Sequence, residues 1–427
     1  MILKSAIMRI GLVCSLFLVL SCLCANAQEP CEVFTTQTEN DIPYRIPAIA
    51  ALNDGTIVCV ADYRFSRKDV GIQKDGRIDL HVRVSNDNGL TWGEIQTVVE
   101  GKGAESPDFM QVAYGDPCIV ADRKSGKILM MSCAGNISYP KGTPECHLCM
   151  ARFYSEDKGK TWSSPVYISD KIYALFDGPK SMFITSGRIM QSRYVKVKKY
   201  YRLYCAVLQT MANGDWVNFV LYSDDFGQNW AVLGDAKMPP ITNRADEAKV
   251  EELPDGSVLI SSRTRKGGRN YNVYTYTNPK KAEGTWAVMA HSSSHNNGIE
   301  TIDNHCNGGM MMVPVIRMVD GARQMLLLQS APKGPKRTNV GIYYKALDMV
   351  GPFTPETIAK DWDGFYPVSD KGSAYSTMAW LSNGRLGFVM EEETHCTTKG
   401  GGYTIVFDSF SIDELTDGAY IYNSKQR

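Results

Sequence analysis

The octapeptide SNDNGLTW at residues 85–92 returns as SEDKGKTW at 155–162 and as SDDFGQNW at 223–230. All three fit Ser-x-Asp-x-Gly-x-x-Trp, and each follows a strand-like run: IDLHVRV, CMARFY and NFVLY. Ser and Asp side chains bond nearby backbone amides, Gly supplies the positive φ of a tight reversal, and Trp is a large apolar anchor. The repeat therefore reads as the turn of a hairpin whose tryptophan sits between neighbouring sheets. A calcium loop is disfavoured, since only the third position is acidic in every copy and a hard cation wants more oxygens.

The copies start at Ser85, Ser155 and Ser223, about 70 residues apart, so the chain after its first 27 residues holds close to six such units. A unit of this length with several short alternating strands matches a four-stranded propeller blade better than a helical repeat. Further strands are predicted in SVLISSR, NVYTYT, QMLLLQS, NVGIYYK, LGFVM and YTIVFDSF, and EGTW at 283–286 reads as a decayed fourth copy of the turn. No linker or low-complexity stretch divides the chain. The expected fold is all-β, a six-bladed β-propeller in one domain over residues 28–427.

Lys plus Arg equals Asp plus Glu at 46 each among 427 residues, so no global charge draws the protein to nucleic acid or an acidic membrane. The N-terminus combines Lys4 and Arg9 with an apolar run and Ala25-Asn26-Ala27, the pattern of a signal peptide ending at residue 27. The expected location is periplasmic or secreted. VLSC at 19–22 gives the alternative, lipoprotein processing at Cys22 and a lipid anchor on the cell envelope. Nine of the 12 cysteines follow the leader, an odd number scattered singly, which is not a disulfide framework. Cys146 and Cys149 flank His147, but no second ligand pair at zinc spacing follows, and a pair of strand residues is the better reading.

YRIP at 44–47, followed by three of these turns in an exported chain of this length, resembles the six-bladed propeller sialidases over essentially everything after the leader. Their substrate, a terminal sialic acid, carries a carboxylate on its anomeric carbon. Planar, bidentate arginine suits such a group better than lysine. The resemblance places Arg45 (YRIP), Arg263 (LISSRTR) and Arg337 (PKRTNVG) in a carboxylate-binding triad, with Arg265 the neighbour of Arg263 on the same strand. It implies that Arg64 lines the pocket around the ring substituents and that Asp69 is the general acid and base; salt bridging of Asp69 to Arg67 or Lys68 is the bland alternative.

Sialidases depart from the two-carboxylate glycosidase pattern by using a tyrosine nucleophile. A neutral phenol avoids the like-charge repulsion an anionic carboxylate would meet beside the substrate carboxylate. Tyr375 in KGSAYSTMAW matches that residue and Glu247 in ADEAKVEE its base, with Glu251 and Glu252 as rivals on the same run. Glu391 resembles the acid that orients the first arginine, with Glu392 as its rival. Asp116 stands where the family often has Asn before Pro, and Tyr194 where it often has a glycerol-contacting aromatic; FDGPKSMF (176–183) lacks the usual second glycine.

The resemblance thus implies a retaining exo-α-sialidase acting on sialylated glycoproteins, glycolipids or oligosaccharides, with no metal or organic cofactor and no nucleic-acid partner. A transferase, including an intramolecular one releasing an anhydro sugar, would share every residue named. A glycan-binding propeller without catalysis is the alternative from another class. Oligomeric state is not legible in the sequence.

Overall fold

A computed structural model describes residues 30–35, 42–242, 244–394 and 403–425; the expected leader, 1–27, and its alternative end at Cys22 lie outside the described residues. Strands dominate, and the helices among the described residues reach only five residues, at Ser169–Tyr173 and Pro355–Ala359. All the strand-like runs named above form strands, such as Ile78–Ser85, Val258–Thr264 and Thr404–Phe410. Many of them, including Val258–Thr264 and Leu386–Glu392, are buried along their whole length. Both faces of such strands are covered by neighbouring sheets.

Among the described residues the strands form five sheets. One runs through Tyr44–Ala51, Ile57–Arg64, Ile78–Ser85 and Gln96–Val99 in simple antiparallel order. The next three repeat that order, beginning at Tyr114–Ala121, Ser181–Ile184 and Ala245–Glu252, each with one additional strand. The fifth has eight strands because the 17-residue strand Gly364–Trp380 pairs with Thr338–Asp348 along its first half and with Leu386–Glu392 along its second. At one edge of this sheet the first described strand, Cys31–Phe34, pairs with Thr404–Phe410, so the two ends of the chain share one sheet.

The three octapeptides hold the same hydrogen bonds. Ser85, Ser155 and Ser223 each donate from Oγ to the Asp two residues on, at 2.7, 2.9 and 2.9 Å, and each accepts from the Gly amide at 2.9, 2.8 and 2.8 Å. The three glycines, Gly89, Gly159 and Gly227, have φ of 89°, 89° and 79°. A Cβ on them would lie 2.2 Å from Phe407, 2.8 Å from Val58 and 2.4 Å from Leu129. Each turn therefore presses on the core of the sheet before it, and the first presses on the sheet that carries both chain ends.

Two sequence expectations change. EGTW is the strand Glu283–Trp286 and not a turn, although Trp286 still reaches the preceding sheet by donating to the Leu233 carbonyl at 2.9 Å. Its Gly and Trp are too close for the Ser–Asp–Gly bonding pattern. Cys149 opens a strand, but Cys146 lies in an exposed loop and is not its strand partner.

Candidate active site

Four strands shift register near one end, between Arg45 and Ala48, Gly115 and Cys118, Ala245 and Ala248, and Ser373 and Ser376. A bulge adds a residue to one strand and re-aims the side chains around it. Arg45, Asp116, Glu247 and Tyr375 all sit at these irregularities. Ile46 and Asp116 adopt φ of 53°, a costly conformation for a non-glycine residue that is held only when its surroundings enforce it.

The bulges feed one chain of contacts across three sheets. Arg45 donates from Nε to Glu391 at 2.7 Å, and the Ile46 amide donates to the same carboxylate at 2.6 Å. Glu391, fully buried, also accepts the Tyr375 amide at 2.9 Å. The Tyr375 hydroxyl donates to Glu247 Oε2 at 2.5 Å, and Arg263 Nη1 reaches both groups, 2.7 Å from Glu247 and 3.1 Å from the phenol. Burial first, and then the Glu247 charge, push the Tyr375 phenol well above its ordinary value. It stays protonated at rest, with its hydroxyl hydrogen-bonded to the Glu247 side chain.

A second cluster gathers around Arg64. Its buried guanidinium donates to Asp62 at 2.7 Å and to Asp69, and lies 3.8 Å from Asp116. Asp69 sits in the loop after the strand Ile57–Arg64 with its side chain 66% exposed, and it pairs with Arg64 and not with its neighbours Arg67 and Lys68. Arg64, and after it burial and Arg45, set the Asp69 carboxyl, with a net displacement below the usual range. Burial and Asp62 raise Asp116 well above it. Arg64 itself is 1% exposed, a buried hub for three carboxylates of which Asp69 and Asp116 line the cleft.

Arg45, Asp69, Asp116, Glu247, Arg263, Arg337 and Tyr375 all line one cleft of about 310 Å³. The Arg337 side chain has no carboxylate within salt-bridge distance among the described residues. Tyr139, Phe183 and Trp216 supply an aromatic wall, and Arg265 lies 4.1 Å from the centre of the Trp216 ring. Tyr194 is not brought to the cleft: its exposed ring packs beside Gly256, on a face set by Arg193 and Glu252. The rivals also separate. Glu251 and Glu252 are taken by Arg188, Arg193 and Ser192, and Glu392 by Lys371.

Sequence reasoning missed Asp246, His305 and Asp62. Asp246 lies 3.4 Å from Arg263, beside Glu247, because the bulge turns two successive side chains toward one arginine where strict alternation would separate them. His305 Nδ1 accepts from Arg263 Nη2 at 2.7 Å and Nε at 3.1 Å. Burial and the Arg263 and Arg337 charges push that imidazole down to about 4, so it is a neutral acceptor. Neither residue belongs to a motif that could have flagged it. Asp62, in VADYR two residues before Arg64, was within reach of alternation, which puts both on one strand face.

A family model described as a BNR repeat-like domain matches residues 65–386. The chain is 26% identical over 363 residues to a sialidase of Paraclostridium sordellii, covering 82% of this chain and 81% of that one. It is 28% identical over 369 residues to a sialidase of Micromonospora viridifaciens, of which it spans only 50%. Among solved structures it resembles the leech intramolecular trans-sialidase with a TM-score of 0.68 at 18% identity, over 91% of this chain and 71% of that one. The Hadza microbial sialidase Hz136 gives a TM-score of 0.65 at 22% identity, over 87% and 66%.

Proposed function

The chain belongs to the BNR-repeat sialidase family, and from that premise we propose that it is a retaining exo-α-sialidase. The observation that carries the proposal is the Tyr375–Glu247–Arg263 contact set inside a cleft that also presents Arg45 and Arg337. Glu391 occupies Nε and Nη2 of Arg45, which leaves Nη1 for an incoming carboxylate. Arg337 and the remaining donors of Arg263 complete a guanidinium cradle suited to a sugar acid.

In the proposed reaction Asp69 protonates the glycosidic oxygen as its bond to the anomeric carbon breaks. The Tyr375 oxygen bonds to that carbon, and its proton passes to Glu247. Water then attacks the same carbon, Asp69 takes the water proton, the tyrosyl bond breaks, and Glu247 returns its proton to the phenolate. Two displacements give retention. In the free site Asp69 is held low by Arg64, Arg45 and Arg337. A substrate carboxylate bound to Arg45 and Arg337 offsets two of those charges and raises the proton affinity of Asp69, which fits it to act as an acid in the complex.

The same reading takes residues 28–427 as one domain and the eight-stranded sheet as a five-stranded and a four-stranded blade sharing one long strand, which makes six blades. It also carries the exported location proposed from the leader. The test is to incubate the purified protein with α2,3-, α2,6- and α2,8-linked sialosides and follow the sugar by NMR. Free α-anomer as the first product supports the proposal. A 2,7-anhydro sugar or transfer to a second glycan would replace hydrolysis by one of the transferase alternatives, and no release from any linkage would refute catalysis.

A further inference from the structure

The innermost strand Ala245–Glu252 carries a lysine that the proposed chemistry does not use. Lys249 is 4% exposed and lies two residues beyond Glu247, just past the bulge. Its Nζ donates to the Ser186 carbonyl, the one side-chain hydrogen bond recorded for it among the described residues. The Ser186 hydroxyl accepts from Asn307 Nδ2 at 3.1 Å, and the same amide nitrogen lies 3.4 Å from Glu247 Oε1. Gly187, at φ of 98°, borders Nζ: a Cβ there would stand 3.4 Å from it. Ser186 and Asn307 are themselves buried.

An ammonium buried without a carboxylate in salt-bridge contact is costly. Glu251, the next acid along the strand, is already taken by Arg188 at 2.9 Å and Arg193 at 3.0 Å. The other groups around Lys249 are Asp116 and Cys118 from the strand Tyr114–Ala121 of another sheet, Arg269 from the strand Arg269–Asn278 and the Thr377 hydroxyl beside Gly187. Glu247 is the carboxylate that acts on it most strongly.

We propose that Lys249 is a positioning residue for the nucleophile: its ammonium, linked through Ser186 and Asn307 to Glu247, supports that base with a fixed positive charge. Arg263 also holds Glu247, but a substrate carboxylate competes for Arg263 at the moment the base is needed. Lys249 is beyond the reach of substrate, so its charge stays. Burial brings this lysine down to about 8, and the Glu247 charge opposes that fall, so it remains largely protonated at neutral pH.

The inference rests on the sialidase reading only in its catalytic readout. With wild-type activity on a sialoside established, kcat/KM is measured from pH 3.5 to 7 for the wild type, K249M and K249R. The acid limb of the profile moves upward by about one pH unit in K249M and stays in place in K249R. An unmoved limb in K249M overturns the proposal. The second measurement needs neither turnover nor a stable Lys249 variant. In protein labelled with 13C at lysine Cε, E247Q lowers the pH at which the buried lysine titrates, because linkage is reciprocal; an unchanged titration overturns the coupling. Absence of sialoside cleavage by the wild type would sink the sialidase reading alone.

Discussion

In the proposed reaction Tyr375 is the nucleophile, and its hydroxyl touches both Glu247 and Arg263. Tyr375→Phe is expected to lower kcat by about 10³-fold or more with unchanged thermal unfolding; near-native turnover would remove the nucleophile assignment. Arg45→Ala is expected to raise KM and lower kcat together, with kcat/KM down about a hundredfold, because substrate and transition state both carry the carboxylate. His305 gives a pH prediction. An imidazole titrates near 6.5 in the unfolded chain and about 4 here, so between those values the unfolded chain binds the extra proton. Stability is therefore present above that window and lost as pH falls through it. His305→Gln, which keeps an acceptor for Arg263, is expected to lose less melting temperature than the wild type between pH 7 and 4.5, and equal losses would discard the assignment. At this scale the sequence was informative where a residue type is chemically constrained. Arg45, Glu247 and Tyr375 were legible for that reason, whereas Asp246, His305 and Lys249 matter only through neighbours brought from elsewhere in the chain.

The turns and the bulges show opposite degrees of legibility. Each octapeptide bonds within itself, Ser to Asp and Gly to Ser, so its turn could be read from eight consecutive residues. The strand bulges could not, because a register shift is a relation between two strands and leaves no local signature. The turn glycine can be tested directly. Gly89→Ala combines φ of 89° with a contact of 2.2 Å to Phe407 and is expected to cost about 3 kcal/mol in denaturant unfolding. Gly214→Ala, at φ of 91° with nothing within 4 Å, is expected to cost about 1 kcal/mol. Equal costs would show that the turns do not staple one sheet to the next.

For the molecule as a whole, the strand Cys31–Phe34 ties the start of the chain to Thr404–Phe410 near its end. Val33 is fully buried there, and Val33→Asp places an unpaired charge in that joint. It is expected to lower the unfolding midpoint of the entire protein in one transition, followed by tryptophan fluorescence and by loss of activity; an unchanged midpoint would mean the joint is local. The sequence by itself determined the all-β class, the repeating turn and the inventory of acids, arginines and tyrosines, because these depend on residue chemistry and on hydrogen bonds spanning a few positions. Only the tertiary structure decided which of them meet. Tyr375 and Glu247 are 128 positions apart and Arg45 and Glu391 are 346 apart, and contacts over such separations are fixed by how the sheets pack and where their strands slip register. That is why the placements of Tyr194 away from the cleft, of Arg64 among three carboxylates and of Lys249 beside Ser186 are announced by no stretch of sequence.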